Sequence, residues 1–437
     1  MKRINDERAQ NEQFGEPPMR IKMHHDNETK MTLPAQVIYV MDKLERAGYT
    51  AYAVGGCVRD HLMGRIPGDY DVTTSAKPEE MQKVFAADRV VETGLKHGTL
   101  TIVKDGMNVE TTTYRIDGTY DDGRHPDSVT FTDRLDDDLC RRDFTINAMA
   151  YNPMRGIVDL WEGREDLKKR SIRCVGAANE RFSEDGLRIL RALRFAAVLD
   201  FTPDMECACG VRELKHLLDK ISRERIYVEL TKLLCGVGAS RILAQFPEII
   251  AHVLPHMDEA GVQRAAAYIR EDEALVKNGY PKNPALRYAL LFSSLDEKQA
   301  ADAINSLKPS RDEKNAVMSF VKKRSGGVGL DHYSVKCLMR DVNDGFPRDL
   351  ARYLCVTGQM TADGLHEAER IAEEIISRDQ CRRVSQLAVN GQDMMNLGLR
   401  GRQIGDTLAA LLDAVMAEKA ENNAEYLLGL AESLKNE

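Results

Sequence analysis

Apolar and polar positions along the chain change period about two fifths of the way along it. In the first part, short runs with strand-like alternation stand between helical stretches, which predicts a mixed α/β structure. The first of these stretches predicts a helix over residues 33–47, ended by a cap at Gly48. Its apolar face is formed by Val37, Ile38, Val40, Met41 and Leu44.

Short strands follow this helix. Tyr52–Val54 and Tyr70–Val72 are predicted as strands, and Val58–Met63 begins a helix between them. Thr99–Lys104 and Asn108–Tyr114 are predicted to form a hairpin, because Asp-Gly between apolar runs favours a tight turn.

Beyond about residue 178 helical periodicity takes over. The helices are predicted at Glu184–Val198, Ile226–Leu234, Asp312–Val321 and Ile404–Met416. The glycine-rich segment Ser325–Gly329 is predicted as a hinge or a turn between helical parts. A phosphate-binding loop is not predicted, because no strand precedes the segment. Asp117–Leu139, rich in Asp, Gly and Arg, is predicted as a loop.

These patterns predict an α+β head followed by helical parts. We assign residues 1–30 to a mobile leader, 31–178 to the head, 179–236 to a neck, 237–340 to a body and 341–437 to a tail.

Composition narrows the class of protein. At 437 residues the chain is too long to fold around a single compact core. Its net charge of -8 argues against a uniformly basic surface but allows a local basic stripe. The nine cysteines form no paired motif, which favours a reducing cytoplasm. We expect no membrane span, because no apolar run reaches the roughly 18 residues that one requires.

The candidate chemistry lies between residues 54 and 74. Gly55 and Gly56 would let backbone N–H groups come close to a triphosphate. Asp69 and Asp71, if both lie on a strand, face the same side with their Cα atoms roughly 6.5 to 7 Å apart. Such a pair can hold Mg²⁺, which favours carboxylates, water and phosphate oxygens. A turn between two strands is the simpler interpretation of Asp-x-Asp alone.

Two neighbouring residues extend this candidate site. Glu110, on the second strand of the hairpin, is a third carboxylate that could help to activate an attacking hydroxyl; a solvated strand edge explains it equally well. Arg59, in the first turns of the helix after the glycine pair, can add bidentate contacts to phosphate. An ion pair with Asp60 or Asp69 is its alternative.

A family resemblance weighs against the simpler interpretations. The glycine pair with Asp69-Tyr70-Asp71 resembles the signature of the DNA polymerase beta-type nucleotidyltransferases. The string from Gly55 to Asp71 resembles their tRNA nucleotidyltransferase and bacterial poly(A) polymerase branch. Further matches follow in the same order at Arg141–Ala148, Asp159–Leu167 and Glu184–Arg194.

The resemblance implies roles for more residues. It places Arg142 at the nucleotide phosphate or sugar and Asp143 near the ribose. It assigns Asp185 and Arg188 to the base edge, and Arg191 and Arg194 to the phosphates. Without that resemblance, a salt-bridged surface helix beginning at Ser183 as N-cap explains the last four residues as well.

The resemblance also implies an activity: template-independent addition of C, C and A to the 3′ end of tRNA from CTP and ATP, with Mg²⁺. It implies that the tail binds tRNA. A bacterial poly(A) polymerase is an alternative, although this chain ends in an acidic helix where such enzymes carry a basic extension. An enzyme adding only CC or only A, and a catalytically silent RNA-binding protein, are the others.

Two further signals are weaker. Local basic clusters could meet RNA phosphates, but each is also typical of a solvated helix face. They comprise Lys308, Arg311, Lys314, Lys322, Lys323, Arg324, Arg382, Arg383, Arg400 and Arg402. His252 and His256 have the spacing of a metal pair, but Pro255 interrupts the helix between them, so we predict a structural role.

Overall fold

A computed structural model describes residues 25–26, 30–118 and 128–435 of the chain. The predicted leader lies almost wholly outside the described residues. The chain divides into two compact units, one of residues 1–196 and 200–221 and the other of 197–199 and 222–437. The finer division into neck, body and tail stays a prediction.

The first unit carries the strands. In chain order they are β1 His25–Asp26, β2 Ala51–Val54, β3 Asp71–Thr74, β4 Arg89–Gly94, β5 Thr99–Lys104, β6 Met107–Thr113, β7 Arg115–Asp117, β8 Val129–Phe131, β9 Met149–Asn152, β10 Gly156–Asp159, β11 Ser171–Ile172 and β12 Thr202–Pro203. One eight-stranded sheet has the order β1-β10-β9-β2-β3-β6-β5-β4. Its pairs are antiparallel except β3 with β6, which are parallel.

Helices of the first unit cover and flank this sheet. They are α1 Ala35–Arg46, α2 Gly56–Leu62, α3 Pro78–Val84, α4 Leu135–Cys140, α5 Gly163–Lys169, α6 Ala178–Glu184, α7 Leu187–Leu199, of which residues 197–199 cluster with the second unit, and α8 Met205–Glu213. Val37, Val40 and Leu44 of α1 are buried in one core with Val72 of β3 and Ile102 of β5. The predicted apolar face of α1 is therefore confirmed, except that Ile38 stays 38% exposed.

All regular secondary structure in the described residues of the second unit is helical. Its helices are α9 Arg223–Leu234, α10 Ala239–Gln245, α11 Pro247–Val253, α12 Glu259–Lys277, α13 Pro284–Leu291, α14 Glu297–Ser306, α15 Arg311–Lys323, α16 His332–Asp341, α17 Phe346–Val356, α18 Ala362–Ser377, α19 Gly391–Asn396, α20 Arg402–Met416 and α21 Ala424–Lys435. The α+β class with an all-α remainder is confirmed. No helix among the described residues is long and apolar enough to cross a membrane.

Local signals explain several boundaries. Asp105 and Gly106 both adopt left-handed backbone angles, with φ of 46° and 79°, so the β5–β6 hairpin turns as the Asp-Gly pair predicts. Gly48, with φ of 94°, follows the end of α1 as the predicted cap. Residues 324–326 form a turn between α15 and α16, as predicted for the glycine-rich segment.

Three local predictions are wrong. Asp69 precedes β3 instead of lying on it, because the strand begins at Asp71. Ser183 lies inside α6 and is not an N-cap; the helix breaks after Glu184, and α7 begins at Leu187. The described part of Asp117–Leu139 contains β8 and most of α4, whereas residues 119–127 of this segment lie outside the described residues.

Candidate active site

Strand register brings two of the candidate carboxylates side by side. Asp71, the first residue of β3, pairs with Glu110 of the parallel strand β6, and neighbouring strands lie about 4.8 Å apart. Asp69 stands two residues earlier in the connection from α2. All three side chains are exposed, so a substrate can reach them.

The protonation of Asp71 reflects this crowding. Although its side chain stays accessible, desolvation by neighbouring protein atoms raises the pKa of Asp71 to about 6, with further contributions from the charges of Glu110 and Asp69. Arg142 opposes the rise through its positive charge. The site therefore holds more negative charge than its arginine neutralises, which suits a divalent cation.

The donor set also suits a cation that is only partly held by protein. No group of three or more His, Cys, Asp or Glu side chains in residues 25–26, 30–118 and 128–435 is arranged to hold a metal ion by itself. Mg²⁺ commonly binds one or two carboxylates and completes its shell with water and substrate phosphates. Asp69 and Asp71 fit that requirement.

The glycine pair allows a close approach of an arginine. Gly55 has a left-handed φ of 79°, and a Cβ atom added there would lie 3.2 Å from Nη1 of Arg142. A side chain at this position would both strain the backbone and displace the guanidinium. Gly56 then begins α2, which carries Arg59.

The buried side-chain amide of Asn147 holds Arg59. Nη1 of Arg59 donates to Oδ1 of Asn147 at 2.7 Å, and Nε of Arg59 donates to Asp60 at 2.9 Å. The predicted ion pair with Asp60 therefore exists, and Asn147 keeps the guanidinium in place as well. Asn147 also donates through Nδ2 to Oδ1 of Asp143, at 3.2 Å.

Asp143 is a buried carboxylate bound by protein donors. Its Oδ2 accepts from Nε and Nη2 of Arg191 at 2.9 and 2.5 Å, and its Oδ1 accepts from the Phe144 backbone N–H at 2.8 Å. Burial alone would raise the pKa of Asp143, but Arg191, Arg188 and the Asn147 hydrogen bond lower it to about 2. In this structure Asp143 orients Arg191, and a contact with ribose stays a prediction.

The break between α6 and α7 places the two proposed base-reading residues. Asp185 has extended backbone angles, and its Oδ1 accepts from the Leu187 N–H at 3.0 Å. At Gly186 a Cβ atom would lie 2.9 Å from the carbonyl oxygen of Leu217, so only glycine fits. Leu217 is distant in sequence from Gly186, so the local pattern favours a helix start at Ser183 that the structure does not have.

Arg188 is buried and partly engaged. Nη1 donates to Oε2 of Glu184 at 2.5 Å and to the Arg181 carbonyl at 3.2 Å, while Nη2 donates to the Arg141 carbonyl at 3.1 Å. Among the described residues, the Nε–H and one Nη2 hydrogen have no partner. Two donors on one guanidinium thus remain for a ligand.

Two functional neighbours were missed by sequence reasoning. Phe195 lies beneath the guanidinium groups of Arg194, Arg59 and Arg191, whose central carbons are 3.6, 5.3 and 5.5 Å from its ring centroid. Such contacts hold planar cations in place. The Arg-Phe pair at 194–195 was a visible signal, but it reads equally well as core packing.

The second neighbour of the candidate site that the sequence did not indicate is Asp138, which is fully buried. It accepts from Arg141 at 2.9 and 2.7 Å, from Nη2 of Arg142 at 3.1 Å and from Thr73 at 3.1 Å. It therefore fixes Arg142 beside β3. The three aspartates at 136–138 gave no sign of which one is buried.

Family models and curated relatives match this chain. The family model of the poly(A) polymerase head domain matches residues 51–173, and a model described as a probable RNA and SrmB-binding site of polymerase A matches residues 200–260. The CCA-adding enzyme of Limosilactobacillus reuteri is 35% identical over 405 residues, covering 91% of this chain and 96% of that protein. That of Enterococcus faecalis is 32% identical and covers 94% and 97%.

Solved structures of CCA-adding enzymes also match this chain. The Bacillus stearothermophilus CCA-adding enzyme in complex with CTP is 30% identical, has a TM-score of 0.78, and covers 93% of this chain and 98% of that chain. The Thermotoga maritima CCA-adding enzyme complexed with tRNA is 21% identical with a TM-score of 0.60, a likeness of fold.

Proposed function

We propose that this chain, which belongs to the family of CCA-adding enzymes, adds C, C and A to the 3′ end of tRNA from CTP and ATP and releases pyrophosphate. The observation that carries this proposal is the similarity to CCA-adding enzymes along more than nine tenths of the chain. A poly(A) polymerase would share the head without requiring the remainder to match.

The proposed chemistry uses the exposed carboxylates. The 3′ hydroxyl of the RNA attacks the α-phosphorus, a new P–O bond forms, and the bond to the β-phosphate oxygen breaks as pyrophosphate leaves. Asp69 and Asp71 are the ligands that we propose for Mg²⁺, which would neutralise phosphate charge and acidify the attacking hydroxyl. Glu110, beside Asp71, is our candidate acceptor for the hydroxyl proton.

The arginines are proposed to bind the nucleotide. Arg59, Arg142, Arg191 and Arg194 would contact the triphosphate, because guanidinium groups bind phosphate oxygens bidentately. At the base, the two remaining donors of Arg188 suit ring acceptors of cytosine or adenine, and Asp185 suits their amino group. Uracil and guanine present a ring N–H and a carbonyl there, so they leave buried groups mismatched.

We also propose that the tail binds tRNA and that the protein works in the cytoplasm. All nine cysteines are free thiols, as a reducing compartment favours.

Three RNA substrates test the function. Purified protein is given tRNA lacking CCA, tRNA ending in CC, or an unstructured RNA, each with labelled CTP and ATP. We expect three nucleotides on the first RNA, one on the second and none on the third. Extension of the unstructured RNA would instead indicate poly(A) polymerase, and products stopping after CC or requiring CC would indicate a partial enzyme.

A further inference from the structure

One carboxylate beside the base-reading helix is shared by two arginines. Oε1 of Glu184 accepts from Nη2 of Arg181 at 2.7 Å, and Oε2 accepts from Nη1 of Arg188 at 2.5 Å. These side chains are 10 to 26% exposed, so solvent screens them only in part. Both oxygens are used, which leaves the carboxylate little freedom to rotate.

The same two arginines bind the end of α4. Nη1 of Arg181 donates to the Cys140 carbonyl at 3.2 Å, and Nη2 of Arg188 donates to the Arg141 carbonyl at 3.1 Å. The last carbonyls of a helix carry partial negative charge and have no partner within the helix. Two hydrogen bonds therefore connect α6 and α7 to the end of α4, one donated by Arg181 and one by Arg188.

We infer that Arg181 is a positioning residue that sets nucleotide selectivity, an inference that rests on the proposed base-reading role of Arg188. The Arg188 guanidinium presents its two remaining donors in a fixed direction because Glu184 and the Arg181 and Arg141 carbonyls bind its other three hydrogens. The Arg181 side chain holds two of these three acceptors, Glu184 directly and the Arg141 carbonyl through the adjacent Cys140 carbonyl. Loss of Arg181 leaves Glu184 with one partner and lets the Arg188 guanidinium tilt.

The expected effect is on the choice of base. Within the described part of the chain, the Arg181 side chain binds Glu184 and the Cys140 carbonyl and does not contact Asp69, Asp71 or Glu110, so the transfer chemistry has no direct dependence on it. A tilted Arg188 makes poorer hydrogen bonds to cytosine and rejects uracil less strongly. Selectivity should fall more than the maximal rate with CTP.

The experiment compares single C or U addition to tRNA lacking CCA. In Arg181→Met we expect the ratio of kcat/KM for CTP over UTP to fall by about tenfold, the scale of one charged hydrogen-bonding partner. Arg181→Lys keeps the charge but not the fork of donors, so the ratio should fall less. The lysine variant also provides a test if the methionine variant does not fold. An unchanged ratio in folded variants overturns the inference.

Arg173 offers a matched control. It donates to a carboxylate, Asp166, at 2.9 Å and to the Trp161 carbonyl at 2.6 Å, and neither partner belongs to the α6–α7 break. Arg173→Met should lower both efficiencies together if it lowers them at all. If it changes the ratio as much as Arg181→Met, the effect is general destabilisation and the inference is wrong.

A second measurement identifies the route. If Arg181 acts through Glu184, the variant Arg181→Met/Glu184→Gln should lose no more selectivity than Glu184→Gln alone; full additivity contradicts that route. Affinities for CTP and UTP without RNA, measured by calorimetry, should show the same loss of discrimination. This readout holds even if the wild-type protein fails to extend tRNA, which would overturn the proposed function alone.

Discussion

At the scale of single residues, exposed and buried charges have separate tasks. Asp69, Asp71 and Glu110 are exposed, so substitutions there remove the proposed metal ligands and proton acceptor without removing core volume. Asp138 and Asp143 are buried under arginines, so substitutions there disturb the position of those arginines. Residue type alone does not separate these groups.

Asp69→Ala and Asp71→Ala should each abolish nucleotide addition, because each removes a proposed metal ligand. The melting temperature and tRNA affinity should stay near those of the wild type. A filter-binding assay and a thermal scan check these properties beside the activity assay. Retained activity in both variants, with Mg²⁺ as the only divalent cation, would place the site elsewhere.

Arg188→Ala should lower discrimination of CTP over UTP by about 1 to 3 kcal/mol, the cost of one lost charged hydrogen-bonding partner. Arg194→Ala should instead weaken CTP, ATP and UTP alike, because phosphate contacts carry no base information. The ratio of kcat/KM values distinguishes them. Equal ratios in both variants would show that α7 does not read the base.

The lowered pKa of Asp143 should make the folding stability depend on pH in the acid range. Its pKa of about 2 lies below the usual value of an unfolded aspartate, near 4, so its ionised form stabilises the fold above about pH 4. That contribution, on the order of 2 kcal/mol, is lost as the pH falls from about 4 to about 2. Urea unfolding of Asp143→Asn should show a shallower loss of stability over this range. An identical slope would contradict the shift.

At the scale of elements, the α6–α7 break depends on one close contact. Gly186→Ala would place a Cβ atom 2.9 Å from the Leu217 carbonyl oxygen, so α7 must shift. We expect a loss of about 1 to 3 kcal/mol in unfolding free energy together with weaker CTP binding. Gly405→Ala, in the helix α20 with nothing within 4 Å, is the control and should be neutral or stabilising.

A buried triad joins three helices of the second unit. Asp272 of α12 lies 2.5 Å from Nε of Arg352 in α17 and 2.5 Å from Nε of Arg287 in α13. Asp272→Ala leaves two buried cations without this partner and should cost about 3 to 5 kcal/mol. Denaturant titration measures the loss. Glu367→Ala, which breaks the exposed pair with Arg370, should leave the midpoint unchanged.

At the scale of the whole molecule, every residue proposed to bind the nucleotide belongs to the first unit. The second unit contains a separate apolar cluster that includes Met394, Leu411 and Leu427. Because Arg352 is anchored on Asp272, a cut before α17 would damage helices upstream of the predicted tail. The structure thus favours a cut after α18.

Deleting residues from 384 onward should weaken tRNA binding much more than CTP binding. The deletion removes α19, α20 and α21. It leaves the Asp272 triad and the residues proposed to bind the nucleotide in place. Fluorescence titration with labelled tRNA and calorimetry with CTP measure the two affinities. Equal losses would contradict a tRNA-binding tail.

The sequence by itself determined the α+β class, the face of α1, the β5–β6 turn and the family. These features depend on the spacing of apolar residues and on the residue types in turns, and both signals lie within a few consecutive positions of the sequence. The candidate residues Asp69, Asp71 and Arg59 stood out for the same reason, whereas the role of Arg188 was implied by the family resemblance.

Only the tertiary structure decided which charged side chains are exposed and which are buried against protein partners. Gly186 breaks a helix because Leu217, distant in sequence, lies against it. Asn147 orients Arg59 of α2, Arg191 of α7 binds Asp143, and Arg181 of α6 binds the carbonyl of Cys140 in α4. Hydrogen-bond partners and burial depend on packing between elements, and the hydrophobic pattern of one element carries no record of them.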